Sequence, residues 1–167
     1  MTIAPPQDRR ATTPDDPNGA PAVRVHGAYK VFGRRPGEAV RRLAAGASRD
    51  EVRDLGSAAV IDASFDVRPG EIFVVMGLSG SGKSTLIRML NGLLEPTAGT
   101  VEIGGRTVTK ATPKEIREIR RTSVSMVFQH FALMPHRTVL ENVAFGLEVK
   151  GVDKTTRLAK ALSLIHI

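Results

Sequence analysis

The chain contains no cysteine and no tryptophan, and it has few aromatic residues of any kind. The absence of cysteine excludes disulfides, thiolate zinc sites and cysteine nucleophiles together. Aromatic residues make up 4% of the 167 residues, so the core has to be built from valine, isoleucine, leucine and methionine. The hydrophobic fraction of 41% and the charged fraction of 25% are typical of one globular domain of ordinary size.

Long apolar runs are missing as well. The longest uncharged stretches, around 72–82 and 122–135, are too short and too often interrupted by polar residues to cross a membrane. The first ten residues, MTIAPPQDRR, lack the apolar segment of a secretory signal. We therefore expect the protein to stay in the compartment in which it is made.

Positive charge predominates, with a formal net charge of +7. This balance favours an anionic partner such as a nucleic acid, a phosphorylated ligand or an acidic membrane surface, or it is a solvated basic surface. The arginines are scattered, and no aromatic residues alternate with them as they do on nucleic-acid-binding platforms. We therefore predict no nucleic-acid partner.

The first half of the chain changes composition twice. Residues 1–22 are rich in proline, aspartate, threonine and arginine, which predicts a disordered tail. Alternating apolar residues then predict strands near 22–26 and over AAVIDASFDV, residues 58–67. Between them, EAVRRLAAG and the capping-box sequence SRDE, which begins at Ser48, predict an insert of two helices within 34–56.

Further along, strand and helix patterns alternate, which predicts an α/β fold. EIFVVM (71–76) and SVSMVFQ (123–129) are continuously apolar in large part, as expected for buried strands of a parallel sheet. TVEIGGRTV (100–108) predicts a hairpin around its glycine pair. Periodicity and capping signals predict helices over 83–93, from 112 to about 121, from 138 to 151, and from 153 onward.

The turn between the strand at 71–76 and the next helix carries the clearest chemical signal. GLSGSGKS, residues 77–84, fits the phosphate-binding loop pattern G-x-x-x-x-G-K-[ST]. Its glycines let the backbone close around an anion, its N–H groups form an anion nest, and the positive end of the helix faces the same point. Lys83 would add a charge for the β- and γ-phosphates, Ser84 a hydroxyl for Mg²⁺, and Thr85 a contact to the α-phosphate. The alternative is a plain glycine- and serine-rich strand–helix turn.

Several segments together resemble the ATP-binding subunits of ABC transporters. GLSGSGKST resembles the Walker A motif, VFQHFALMPHRTVLENVAFGLE the Q-loop and the start of the helical subdomain, and YKVFG the segment with the adenine-stacking aromatic. With the helical insert, the chain is similar over about 23–162 to the glycine betaine/proline importers of that family. The resemblance implies an α/β P-loop NTPase (ABC ATPase) core with an N-terminal antiparallel β-subdomain and a truncated helical subdomain.

The resemblance also implies roles for single residues. Phe32 would stack on adenine, with Tyr29 as a weaker candidate and core packing as the alternative for Phe32. Lys83 and Gln129 would be catalytic, and Ser84 and Gln129 would approach Mg²⁺. The expected ATP-binding set is Phe32, Gly77, Leu78, Ser79, Gly80, Ser81, Gly82, Lys83, Ser84 and Thr85. A groove for a membrane subunit would be lined by Phe131, Leu133, Met134 and Pro135, unless these residues are core.

The implied organisation is a disordered tail (1–22), an ATPase core (23–128, with the insert 34–56), a Q-loop and helical subdomain (129–162) and an aberrant or truncated end (163–167). The implied function is ATP-driven import of compatible solutes by a homodimer under two permease subunits, served by a substrate-binding protein, on the cytoplasmic face of the plasma membrane. No signature motif and no apolar strand ending in Asp-Glu occur in the sequence, so we expect negligible hydrolysis by these 167 residues alone. Another class of P-loop NTPase and a non-catalytic nucleotide-binding fragment remain as alternatives.

Overall fold

A computed structural model describes residues 20–128 and 133–166. The chain divides into two compact units, with the boundary between Ser125 and Met126. The first unit contains β1 (Val23–Phe32), α1 (Pro36–Ala44), β2 (Ser57–Val67), α2 (Lys83–Leu90), β3 (Ala98–Ile103), β4 (Arg106–Thr107) and α3 (Pro113–Thr122). The second contains α4 (Val139–Val149) and α5 (Lys154–Ile165). Among the described residues, no helix combines the length and the apolar character needed to cross a membrane.

The first unit is built on an antiparallel sheet with the strand order β2-β1-β3-β4. Strand β1 lies between β2 and β3, so Val25 is opposite Phe65 on one side and opposite Val101 on the other. The predicted hairpin is confirmed, because β3 and β4 pair across Gly104 and Gly105. The sheet agrees with the N-terminal antiparallel β-subdomain that the resemblance implies.

Helix α2 packs on this sheet through two fully buried side chains. Leu86 and Met89 are both 0% exposed and lie in one cluster with Val25, Val60 and Val101. Burying a side chain of this size stabilises a fold by about 1.5–3 kcal/mol. The contact fixes α2, and with it the turn that precedes the helix, on the inner face of the sheet.

The insert after β1 forms a second core cluster, but it contains one helix instead of the two predicted. Helix α1 buries Leu43, while residues 49–55 form consecutive turns that bury Val52 and Leu55. Both hydrogen bonds of the predicted capping box are present, Ser48 N to Glu51 Oε2 at 2.7 Å and Glu51 N to Ser48 Oγ at 3.4 Å. Only a few residues remain before Gly56, and they close i to i+3 turns, because a helix nucleus is costly over so short a segment.

The predicted buried strand at 71–76 is wrong. This segment contains no strand, and Ile72, Val74 and Met76 are 89%, 67% and 77% exposed. Its Phe73 ring stacks on Phe65 of β2 with 4.7 Å between centroids, and Val75 packs against the core cluster of the sheet. A strand of a parallel sheet needs hydrogen-bonding neighbours, and no strand in the part of the chain that the structure describes pairs with it.

The second predicted buried strand, 123–129, is wrong over its described part. Residues 124–128 have no regular structure, and Val127 and Phe128 are 97% and 53% exposed. The reason is the same as at 71–76, since the apolar pattern is present but no strand within 20–128 and 133–166 pairs with this segment. Helix α2 also ends at Leu90 instead of residue 93, because the Asn91 side chain accepts the Leu93 N–H at 3.1 Å.

Helices α3, α4 and α5 begin where their capping residues predict. Thr112 and Glu115 form a capping box at α3, and Thr138 and Glu141 form one at α4. Asp153 caps α5 by accepting the Thr156 N–H at 3.0 Å. In the second unit an ion-pair network links α4 to the residues before it and to α5, with Glu148 bound to Arg137 at 3.0 Å and to Arg157 at 3.3 Å. The hydrogen bond and the charge from Arg137 lower the pKa of Glu148.

Candidate nucleotide-binding site

The turn from 77 to 82 enters α2 through a glycine in the left-handed region. Gly82 is the N-cap of α2 and has a φ of 94°, and a Cβ there would collide with the Ala59 carbonyl oxygen of β2. Gly80 also has a positive φ, 76°, but its surroundings are open. The glycine at 82 is therefore required both by backbone conformation and by the close approach of the turn to β2.

The Lys83 side chain folds back across this turn. Its ammonium donates hydrogen bonds to the carbonyl oxygens of Gly77 at 2.7 Å and Leu78 at 2.8 Å. The turn is closed further by the Ser81 N–H, which donates to the Leu78 carbonyl at 3.2 Å. The positive charge of Lys83 is thus held at the carbonyls of this loop, next to the N-terminus of α2. The first N–H groups of α2 have no partners within the helix.

Ser81 provides the observation that indicates a ligand. Its hydroxyl oxygen is buried and has no hydrogen-bond partner among the described residues. A Cβ at position 77 would lie 2.6 Å from this oxygen, so the glycine at that position avoids a steric clash with the hydroxyl. A buried hydroxyl without a partner costs about 1–3 kcal/mol, which an incoming ligand oxygen would recover. The donors present here fit the oxygens of a phosphate chain.

The remaining predicted residues of the loop lie in the same continuous turn. Leu78, Ser79 and Gly80 are exposed at its outer side, and Thr85 is half-buried in the first turn of α2. The Ser84 side chain is exposed at the start of α2. No cluster of three or more histidine or acidic side chains within 20–128 and 133–166 could hold a metal by itself.

Phe32 lies at the end of β1, and the pairing of β1 with β2 places it near the turn at 77–82. It is opposite Ser57 at the start of β2, two residues from Ala59, whose carbonyl Gly82 approaches. Phe32 is 44% exposed, so it is accessible in part to solvent. Tyr29 differs, because it packs against the second core cluster, and burial followed by the charge of Asp62 raises its pKa.

The other predicted residues fall in or beside the second unit. Gln129 and Phe131 lie outside the described residues. Leu133 is 65% exposed and Pro135 is exposed, so neither is core within the second unit. Met134 is held by Asn142, whose side chain accepts the Met134 N–H at 2.8 Å and donates to its carbonyl at 3.2 Å. Sequence reasoning missed Asn142, for which the only signal is an amide side chain just after the capping box of α4.

Comparison with known proteins decides the family. The family model described as "ABC transporter" matches residues 60–167, which is more than half of the chain. The chain belongs to the ABC transporter family. The resemblance of its motifs to ABC ATP-binding subunits is thereby confirmed.

Relatives of this ABC chain include ATP-binding proteins of glycine betaine transport. It is 50% identical over 147 residues to the glycine betaine transport ATP-binding protein OpuAA of Bacillus subtilis, covering 87% of this chain and 35% of that protein. It is 47% identical over 146 residues to the glycine betaine/proline betaine transport system ATP-binding protein ProV of Escherichia coli, covering 86% and 36%. The chain therefore spans about a third of the length of these relatives.

Solved structures of ABC cassettes share the fold. The dimeric structure of the ATP-binding cassette MJ0796 in a post-hydrolysis state, bound to ADP and Pi, matches with a TM-score of 0.67 at 28% identity. The match covers 84% of this chain and 54% of that one. The predicted fold class, an ABC ATPase cassette of which only part is present, is confirmed.

Proposed function

We propose that this chain carries the ATP-binding part of the energy-coupling subunit of an importer for glycine betaine- or proline-type compatible solutes. The observation that carries the proposal is the turn at 77–85, which contains both the buried, unpartnered Ser81 hydroxyl and the Lys83 ammonium bound to the Gly77 carbonyl. The nature of the solute is supported by the relatives OpuAA, a glycine betaine transport protein, and ProV, a glycine betaine/proline betaine transport protein.

In this proposal the loop binds the phosphate chain of ATP. The N–H groups at the start of α2 and the Ser81 hydroxyl donate hydrogen bonds to phosphate oxygens. The Lys83 ammonium leaves its two carbonyl acceptors and contacts the β- and γ-phosphates instead. Ser84 would hold Mg²⁺, which neutralises phosphate charge when it is bound. Phe32 would stack on the adenine, and Gln129 would approach the metal and the attacking water.

The remaining steps belong to the longer protein. We propose that the full-length parent hydrolyses ATP as a homodimer beneath membrane permease subunits, on the cytoplasmic face of the plasma membrane, with a substrate-binding protein delivering the solute. The dimeric state of the ATP-binding cassette MJ0796 supports the dimer. The predicted groove at 131–135 and the domain ranges remain predictions.

Binding of MgATP to the purified 167-residue chain tests the proposal. We expect saturable binding by isothermal calorimetry, weakened when EDTA removes the metal, because Ser84 and the phosphates share the cation. Magnesium tripolyphosphate should compete for the same site, since the loop binds the phosphates and not the base. If neither ATP nor tripolyphosphate binds, the proposed function is wrong.

Replacing Phe32 by leucine should weaken the binding of MgATP and leave tripolyphosphate unaffected. Stacking on an aromatic ring contributes about 1–3 kcal/mol for each base, so the expected loss is roughly 5- to 150-fold. Ile61 to leucine, a substitution at another exposed apolar residue of the sheet, is the control and should change neither affinity. Equal losses for ATP and for tripolyphosphate would show that Phe32 acts on the loop instead of on the base.

A further inference from the structure

The Lys30 side chain lies over the Phe32 ring. Its Nζ atom is 5.2 Å from the ring centroid, and it also donates a hydrogen bond to the Glu95 carbonyl oxygen at 2.7 Å. Lys30 and Phe32 are two residues apart on β1, so their side chains leave the same face of the strand. A cation in this position is attracted to the ring, because the face of an aromatic ring carries negative partial charge.

The segment that carries the Glu95 carbonyl, the acceptor of the Lys30 hydrogen bond, is itself fixed in place. Glu95 belongs to the turn that follows α2, and Thr97 adds three hydrogen bonds between this turn and β1, one of them from its hydroxyl to the Val31 carbonyl at 3.4 Å. Thr97 donates its N–H to the Tyr29 carbonyl at 2.7 Å, and its hydroxyl accepts the Val31 N–H at 3.1 Å. The ammonium is therefore held at a defined point between the turn and the ring.

We propose that Lys30 is a positioning residue for the purine base, acting through Phe32. The ammonium covers one face of the ring, which leaves the opposite face for the base and restricts the rotation of the ring before the ligand arrives. It also draws electron density from the ring, which favours stacking against an electron-rich purine. This inference rests on the proposed function, because it takes Phe32 as the stacking residue.

Three variants of the 167-residue chain test this role. Lys30→Met keeps the length of the side chain and removes the charge, Lys30→Arg keeps a cation that can lie over the ring, and Lys114→Met is the matched control. Lys114 is exposed on α3, and its side chain forms no hydrogen bond or ion pair with the described residues. The affinity of each variant for MgATP and for magnesium tripolyphosphate is measured by calorimetry.

We expect Lys30→Met to weaken ATP binding roughly two- to fivefold, the range of an exposed cation–π contact, while tripolyphosphate binding is unchanged. Lys30→Arg should restore the affinity for ATP, and Lys114→Met should change neither ligand. In a Phe32→Leu background, Lys30→Met should have no further effect, because the ring through which it acts is gone.

The outcomes separate this inference from the function on which it rests. An unchanged ratio of ATP to tripolyphosphate affinity in Lys30→Met would overturn the positioning role and leave nucleotide binding intact. A loss for both ligands would show that Lys30 acts by holding the turn after α2, and this also overturns the inference. Failure of the unsubstituted chain to bind either ligand would overturn the proposed function instead.

Discussion

Replacing Lys83 by methionine is expected to lower the affinity for MgATP and for magnesium tripolyphosphate by about 100-fold or more. The ammonium would contact two phosphate groups, and a hydrogen bond to a charged group contributes roughly 1.5–3 kcal/mol. Without the ligand, its partners are the carbonyls of Gly77 and Leu78 in an exposed turn. Water can replace the ammonium at those carbonyls, so the free energy of unfolding should change little. Calorimetry and urea unfolding measure the two quantities on the same samples.

The control for Lys83→Met is Lys160→Met, which removes an equal charge from an exposed position of α5. It should leave both affinities unchanged, which excludes a general effect of lowering the net charge of +7. Retention of tight tripolyphosphate binding by Lys83→Met would contradict the assignment of the loop. A loss of ATP binding alone would also contradict it, because Lys83 would then act near the base.

The structure shows which sequence signals act locally. The capping boxes at Thr112 and Thr138 predict the starts of α3 and α4 correctly, because a threonine and a glutamate three residues later satisfy each other's backbone groups. The turn at 77–82 is predictable for the same reason, since its glycines and Lys83 interact within a few positions of each other. Such features depend on residues that are adjacent in sequence.

The wrong predictions concern elements that depend on distant partners. EIFVVM has the composition of a buried strand, but a strand exists only when another strand pairs with it. The insert at 49–55 has a correct cap and correct buried residues, yet Gly56 ends the segment before a helix can extend, and it approaches the Phe32 carbonyl so closely that a Cβ would lie 2.5 Å from it. Composition and periodicity do not report either of these contacts.

Some residues of the candidate site are likewise predictable from the sequence, and others depend on contacts between distant residues. The sequence identifies Lys83 and Phe32 from a motif and a resemblance, but it gives no reason to single out Lys30. The contact between Lys30 and Glu95 joins residues 65 positions apart, and it requires the turn after α2 to lie against β1. The buried state of the Ser81 hydroxyl is equally a product of the folded turn.

Gly82 offers a test of whether the close approach of the loop to β2 shapes the site. In Gly82→Ala, we expect the free energy of unfolding to fall by about 2–5 kcal/mol, the sum of the left-handed backbone penalty and the collision of the new Cβ with the Ala59 carbonyl. MgATP binding should be lost at the same time, because relief of the collision must move the N-terminus of α2 away from β2. Urea unfolding followed by circular dichroism gives the stability, and calorimetry gives the affinity.

The matched variant is Gly80→Ala, which separates the two contributions to this loss. Gly80 also has a positive φ, 76°, but a Cβ there meets nothing within 4 Å, so this variant carries the backbone penalty alone, about 1–2 kcal/mol. The difference between the two variants then measures the contact of the loop with β2. Equal destabilisation of the two variants would mean that α2 shifts to accommodate the extra methyl group at position 82 with little cost in free energy. In that case the position of the helix N-terminus, and the anion site built on it, would not be fixed by the sheet.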